Sequence, residues 1–211
     1  VTAMTIRSQP TIRTATPAHQ QTISELLAEA FLHGDLADWL IPHLDARARI
    51  YPHYFALHIE HALTHGQIDM TTDAAAAAIW YPIDGEPLPD LANYPQRLTD
   101  MTGRFHPRFS ALEQAIHDHH PYDQPHCYLA LLAVHPDQQR RGVGSTLLRH
   151  RHDQLDATAT AAYLEATGPR NRRLYARSGY QPHPAFHVLD GPPLYPMRRP
   201  SVRERGDSHR C

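Results

Sequence analysis

Gly142 and Gly144 stand in the run Val134-His135-Pro136-Asp137-Gln138-Gln139-Arg140-Arg141-Gly142-Val143-Gly144-Ser145-Thr146-Leu147-Leu148, between an apolar stretch, Tyr128 to Val134, and an amphipathic one. A strand, a glycine-bearing turn and a helix start in that order aim several backbone N–H groups at one point, where a diphosphate could bind. Glycine leaves no Cβ in the way of an approaching anion, and Arg140 and Arg141 add positive charge beside the turn. Two familiar phosphate loops do not fit. A P-loop requires G-x-x-x-x-G-K-[ST], and the chain contains no lysine; the dinucleotide fingerprint G-x-G-x-x-G requires a third glycine where Leu147 stands.

Other residues carry chemistry less specifically. Glu165 interrupts the apolar run Ala161, Ala162, Tyr163, Leu164 and Ala166, so its carboxylate either faces a cleft or needs a neighbouring arginine or turn as partner. His126 and His135 flank the strand before the turn and are rival bases, each also readable as a surface group. His117, His119 and His120, or His150 and His152, suggest a metal site, but only 117 with 120 has facing helical spacing and no matching Cys or His cluster accompanies them; no metal is expected. Cys127 has no activating constellation nearby and reads as a core thiol.

The elements that position these groups follow from periodicity and punctuation. Thr11 to Ala15 alternates as a first strand, and Thr16-Pro17 predicts the start of a helix over Ala18 to His33 with Ile23, Leu26, Leu27, Ala30 and Phe31 on one face. Gly34 to Leu44 is a connection, and Asp45 to Thr64 a second helix that Pro52 should kink or split. Gln67 to Thr72 and Ala74 to Tyr81 predict a hairpin, the alanine run being read as strand because it is short and continues into Ile79-Trp80-Tyr81. Pro82 through Pro89 is loop, and Leu91 to Phe105 and Pro107 to His119 are helical. Then come the strand Tyr128 to Val134, a helix over Arg140 to Asp156, a strand Ala161 to Ala166, a short helix Asn171 to Ser178, and closing strands Tyr180 to Leu189 and Leu194 to Arg198.

At 211 residues the chain is expected to be one domain over 1–199, with 1–10 flexible and a polar, disordered tail over 200–211. Its 41% hydrophobic content suffices for a core, and no window resembles a membrane span. The first ten residues lack the charged-then-apolar layout of a secretion signal, so a cytoplasmic location is the default expectation. Cys127 on a strand and Cys211 at the last position are not expected to pair. A formal charge of −2 argues against broad binding to nucleic acid or acidic membranes, although the 18 histidines would turn the chain cationic below about pH 6.5.

The pattern V-x-P-x-x-Q-x-x-G-x-G, from Val134 through Gly144, resembles motif A of the GCN5-related N-acetyltransferase (GNAT) superfamily, which cradles the pyrophosphate of acetyl-coenzyme A. Leu164-Glu165-Ala166-Thr167-Gly168-Pro169-Arg170-Asn171-Arg172-Arg173-Leu174-Tyr175-Ala176-Arg177-Ser178-Gly179-Tyr180 resembles motif B of the same superfamily, in the form found in puromycin N-acetyltransferase and its actinobacterial relatives. The likeness is specific over 128–180 and topological elsewhere between 11 and 199. It implies an α/β fold, a mixed sheet of about seven strands flanked by helices, with acetyl-CoA as co-substrate and no metal. By the same resemblance, the backbone around Leu132, Ala133 and Val134 would pair with the pantetheine arm at a splay between the fourth and fifth strands, an N–H near Leu132 acting as oxyanion donor. Arg140, Arg141, Gly142, Val143, Gly144, Ser145 and Thr146 would wrap the diphosphate, Asn171 would touch the coenzyme, and the Tyr175 hydroxyl would lie near sulfur. Many members space that asparagine farther from the tyrosine than the three residues found here, which weakens the transfer for Asn171.

Acyl transfer from a thioester to an amine needs an uncharged nucleophile, an oxyanion donor and a proton for the departing thiolate. Tyr175 suits the third role, a phenol of reference pKa about 10 beside a nascent thiolate; Glu165, directly or through water, is the candidate base. The acceptor pocket must come from outside the two motifs. Trp80 and Tyr81 lead the candidates, followed by Phe31 and Trp39, then Asp35, Tyr54 and His187, since aromatic walls with an anionic group would hold an organic amine. The expected acceptor is a primary amine of a small molecule, an antibiotic or a biosynthetic intermediate, acetylated directly in a ternary complex. The alternatives are acetylation of a protein, peptide or aminoacyl-tRNA, and a non-catalytic acyl-CoA-binding sensor. Homodimers are common in the superfamily, but the residues give no interface signal.

Overall fold

In the computed structural model, which describes residues 10–207, strand β1 (Ile12–Thr14) leads through a 3-10 turn (Pro17–His19) into helix α1 (Gln20–Ala30). Within the segment expected to be a plain connection lies a short helix, α2 (Asp35–Leu40). Helix α3 (Leu44–His65) continues through Pro52 as one helix and is not split in two there. The ring removes one backbone donor, but Tyr51, Tyr54, Phe55 and Ile59 are all buried around it, and their packing outweighs one lost hydrogen bond.

The hairpin β2 (Gln67–Thr71) and β3 (Ala76–Ile83) is antiparallel, with Ala74 in the left-handed region at φ 56° in the turn. Ala77 packs into the core on one face of the sheet and Ala76 and Ala78 into that on the other, which explains why an alanine run of high helix propensity is strand here. Helices α4 (Tyr94–Thr102) and α5 (His106–His119) follow, joined by one 3-10 turn. Strand β4 (His126–Val134), helix α6 (Val143–Ala157), strand β5 (Ala162–Ala166) and helix α7 (Pro169–Arg177) form the segment carrying both motifs.

The expected strand over 180–189 shrinks to two residue pairs, β6 (Gln181–Pro182) and β7 (Phe186–His187), both against β8 (Pro193–Arg199). Pro182 and Pro184 have no N–H to extend a ladder. Residues 202–207, expected in a disordered tail, form helix α8 (Val202–Asp207). Ser201 and Glu204 cap it reciprocally: the Ser201 N–H donates to Glu204 Oε2 at 2.7 Å and the Glu204 N–H to Ser201 Oγ at 3.3 Å. Arg205 ties it to Asp156 of α6 at 2.7 Å. The expected flexible residues 1–9, and Cys211, lie outside the described residues.

The eight strands make one mixed sheet in the order β1-β2-β3-β4-β5-β8-β6, β7 also pairing with β8. Every pairing is antiparallel except β4 with β5. One core, built on Ile23, Leu27, Ile59, Ile79 and Phe109, lies under α1, α3 and α5; the other, with Leu147, Leu148, Trp80, Tyr175 and Met197, lies under α6 and α7. Among the described residues no helix is long and apolar enough to cross a membrane.

His152 on α6 is buried, its Nε2 at 3.1 Å from the Tyr180 hydroxyl, and burial lowers its pKa to about 4. The unfolded chain therefore binds the proton first, so the folded state loses stability as pH falls from about 6.5 toward 4 and keeps it above. For this shift the loss is on the order of 3 kcal/mol. His58, beside Tyr54, works in the same direction; Glu113, whose pKa burial raises, works against it. Thermal unfolding followed by circular dichroism should give a lower Tm at pH 5 than at pH 7.5, with a smaller gap in His152→Gln. An equal gap in the variant would clear His152 of the effect.

Candidate active site

Strands β4 and β5 pair at only two positions, Cys127 with Ala162 and Tyr128 with Tyr163, and then part. An irregularity in the β3/β4 register between Ile79 and Trp80 sits at the point of departure. Beyond it the His135 N–H donates to Ala75 O at 2.8 Å, and since backbone groups alternate between the two edges of an antiparallel strand, Ala133 faces β3 whereas Leu132 and Val134 face the gap. Ala133 is thus excluded from pairing with anything in the gap, a correction to the sequence reading: its backbone is in the β3 ladder and its side chain in the core. The Val134 carbonyl already accepts from Gln139 Nε2 at 3.1 Å.

The chain then makes the glycine turn. Arg140 takes φ 63° and Gly142 φ 85°, the left-handed pair that swings the backbone into α6. Thr146 is the first residue of the turn whose N–H closes a helical bond, to Gly142 O at 3.0 Å. The amides of Val143, Gly144 and Ser145 precede it at the positive end of the 15-residue helix. A Cβ on Gly144 would sit in ordinary contact, 3.5 Å from Val134 Cγ2 and within 4 Å of Leu132 and Leu174, so the packing of the turn on β4 does not itself require glycine there. Arg140 and Arg141 are exposed and have no carboxylate partner among the described residues. The Thr146 hydroxyl donates back to Gly142 O at 3.2 Å. Free amides, two unpaired guanidinium groups and a missing Cβ suit an anionic linker such as the coenzyme's diphosphate.

The gap opens into a cleft of about 890 Å³ between the sheet and α2 to α5. Tyr175 and Asn171 of α7 and Glu165 of β5 line it beside Leu129 to Leu132. The Tyr175 ring packs edge-on against Tyr180 at 5.7 Å, its hydroxyl has no hydrogen-bond partner among the described residues, and burial pushes its pKa up, so the phenol keeps its proton. Asn171 Nδ2 donates to Thr167 Oγ1 at 3.2 Å.

Glu165 is held without being satisfied. Its side chain is 4% exposed; Oε2 accepts from the Tyr128 hydroxyl at 2.8 Å, while Oε1 has no hydrogen bond. The Tyr163 hydroxyl sits beside the carboxylate without aligning on it, and His120 Nδ1 stands 3.8 Å from Oε1. Burial, then the Glu165 charge, keeps both phenols protonated. The two histidines have an assignable polarity. Gln124 O can only accept, so His126 Nδ1, 2.7 Å away, carries a hydrogen. Burial lowers the His126 pKa, leaving its Nε2 an acceptor, so His120 Nε2 at 3.0 Å is the donor. His120 Nδ1 and Glu165 Oε1 then face each other across 3.8 Å, beyond direct hydrogen-bond reach. Glu165, His120 and His126 line up from the cleft toward the exposed Gln124.

The other candidates divide. Phe31, Asp35, Tyr54 and Tyr81 line the cleft, the Tyr81 hydroxyl donating to His58 O at 3.2 Å and lying 3.0 Å from His61 Nδ1. Trp80 does not: adjacent strand residues face opposite sides, and it packs under α6 with the Arg151 guanidinium 5.8 Å from its ring. Trp39 and His187 are also outside the lining; Trp39 Nε1 donates to Asp190 Oδ1 at 2.9 Å and its ring covers Gly191. His135 Nε2 pairs with Glu29 at 3.2 Å, outside the cleft. Burial pushes the Cys127 thiol up to about 12, which removes it as a thiolate nucleophile near neutrality. The sequence does not by itself mark Tyr128, or His120 as Glu165's neighbour; the available signal is a tyrosine opening the strand before a phosphate-type turn.

The family model described as acetyltransferase (GNAT) domain matches residues 109–182, the span that holds the parted strands, the glycine turn and Tyr175. Over that span, about a third of its length, the chain is similar to the GNAT acetyltransferases. Its fold is that of the GNAT enzymes, with central parallel strands that separate at the site. A structure described as histone acetyltransferase HPA2 and related acetyltransferase, from Corynebacterium glutamicum, is similar at 29% identity and TM-score 0.72 over 92% of this chain and 98% of that one. Arylalkylamine N-acetyltransferase 2 from Aedes aegypti matches at 13% identity and TM-score 0.65 over 92% and 99%, and a polyamine N-acetyltransferase from Drosophila melanogaster at 14% and 0.52 over 89% and 98%. These last two are likenesses of GNAT fold alone.

Proposed function

We propose that the protein transfers the acetyl group of acetyl-CoA to a primary amine of a small organic molecule, both substrates being bound together. The parting of β4 from β5 beside a cleft lined by Leu132, Glu165 and Tyr175, with the glycine turn following at the end of the same strand β4, carries this reading. Arg140 through Thr146 would hold the diphosphate, Leu132 and Val134 would offer backbone groups to the pantetheine arm, and Asn171 stands beside its path. When bound, acetyl-CoA supplies the acyl group as a thioester. The Leu132 N–H would polarise the carbonyl, and Glu165 would take the ammonium proton and pass it toward His120. As the free amine bonds to the carbonyl carbon and the C–S bond breaks, Tyr175 would protonate the departing sulfur and regain a proton from the new amide nitrogen. The cleft volume suits a small molecule, and similar folds include enzymes named for arylalkylamines and polyamines. Motif likeness to puromycin N-acetyltransferase adds amine antibiotics to the candidates, and with them a resistance or tailoring role.

The test is release of free thiol from acetyl-CoA across a panel of amine antibiotics, arylalkylamines and aliphatic amines; no release with any would overturn the reading. With an accepted amine, Tyr175→Phe should lower kcat by about 10²-fold or more while coenzyme affinity stays nearly constant. Equal rates would remove the phenol from the mechanism.

A further inference from the structure

A second carboxylate in the cleft repeats the arrangement of Glu165. Glu113, on α5, has one oxygen anchored and one free: Oε1 accepts from the Tyr94 hydroxyl at 2.6 Å and from the Tyr54 hydroxyl at 3.3 Å, while Oε2 has no partner among the described residues. It also lines the cleft. Two phenols from two different helices, α3 and α4, fix this carboxylate, so it points where it does by construction. The Tyr54 ring stands edge-on to Phe109 at 4.8 Å and to His58 at 4.6 Å, giving the carboxylate an aromatic surround of the kind that favours cations. His58 is neutral at physiological pH and does not compete.

The charge of the lining points the same way. Asp35, Asp90, Glu113 and Glu165 line the cleft, and no arginine does; the chain has no lysine. Two guanidinium groups of α3 and α4, the helices that supply Tyr54 and Tyr94, are committed elsewhere, Arg97 to Glu60 at 2.6 Å and Arg47 to Asp38 at 2.7 Å. Glu165 Oε1, buried and without a hydrogen bond in the same cleft, is the independent sign that a donor is to be supplied by a ligand.

We infer that the acceptor is a dication, an aliphatic diamine or an amine with a distal ammonium or guanidinium, whose reacting amine meets Glu165 and whose far charge is held by Glu113 Oε2 between Tyr54 and Tyr94. This rests on the acetyl-transfer reading for the fate of the near amine, but not for binding. A half-buried, anchored carboxylate with one open oxygen gains a charge-assisted hydrogen bond from such a group, and a monoamine of equal length leaves it unmet.

The test compares α,ω-diamines from three to eight carbons with n-alkyl monoamines of the same carbon counts, by calorimetric binding and by kcat/KM with acetyl-CoA. One diamine length should bind and react about 10–100-fold better than its monoamine, the preference residing in KM. Glu113→Gln, which keeps an oxygen for the two phenols, should abolish that preference at unchanged Tm. Equal binding of diamines and monoamines at every length, or a folded Glu113→Gln that keeps the preference, would overturn the inference. Should the variant fail to fold, the wild-type length series decides alone. Diamine binding lost in Glu113→Gln, in a protein that acetylates none of these amines, would support the dication site and sink the acetyl-transfer reading instead.

Discussion

Glu165→Gln should lower kcat by about 10²–10⁴-fold near neutral pH while leaving the fold as stable as before, or slightly more so. The two halves of that expectation come from the same geometry. Glutamine can still accept from the Tyr128 hydroxyl, as Glu165 Oε2 does at 2.8 Å, and its amide replaces a buried, unsatisfied oxygen with a neutral group. The charge that burial opposes disappears, so unfolding by urea should not come earlier. What is lost is the base. The remaining activity should climb steeply with pH, because free amine then has to come from solution rather than from proton transfer inside the cleft. Wild-type protein should show a flatter rise over the same range. A rate within about threefold of wild type at neutral pH would show that water or another group takes the proton. His120 and His126 are then the residues to replace next, since their hydrogen bonds run outward from the same carboxylate.

Arg151→Met should destabilise the protein by about 3–5 kcal/mol, the largest single loss expected away from the cleft. Asp69, on β2, is fully buried, and Arg151 of α6 meets both of its oxygens: Nε reaches Oδ2 at 2.9 Å and Nη2 reaches Oδ1 and Oδ2 at 2.7 Å. Nη1 is taken by Gln67 at 3.0 Å and Gln154 at 2.9 Å, and the guanidinium lies over Trp80. Methionine keeps much of the side-chain volume but strands a carboxylate without solvent. Adding Asp69→Asn to Arg151→Met should recover most of the loss, because the penalty belongs to the unpaired charge and not to the missing attraction. Urea unfolding of the two single variants and the double variant measures this directly; a double variant no more stable than Arg151→Met alone would point to lost packing against Trp80. The same pair holds α6, and with it the glycine turn, on the sheet.

Local features were legible in sequence and distant ones were not. The turn from Val134 to Thr146 could be read because its glycines, its proline and the flanking apolar runs are contiguous, and Tyr175 because its motif is. Trp80 could not be placed, since a strand with Ala76, Ala77 and Ala78 covered on both faces has no polar alternation to mark which side meets the cleft. Ala133 was included with Leu132 and Val134 because edge alternation depends on a register irregularity between Ile79 and Trp80, a property of two paired strands. Glu165 stood out as a misfit in an apolar run, but its partners Tyr128 and His120 are 37 and 45 positions away and meet it only through the parallel pairing. The Ser201 to Glu204 cap was readable in principle, and the polarity around it concealed a helix.

Past Tyr128 and Tyr163 the two central strands share no ladder hydrogen bonds, so the slot between them can change width without breaking any. Breathing there is opposed by side-chain packing and the Tyr128–Glu165 hydrogen bond instead of a backbone ladder, which makes the middle of this sheet, ordinarily the stiffest part of such a layer, a compliant line.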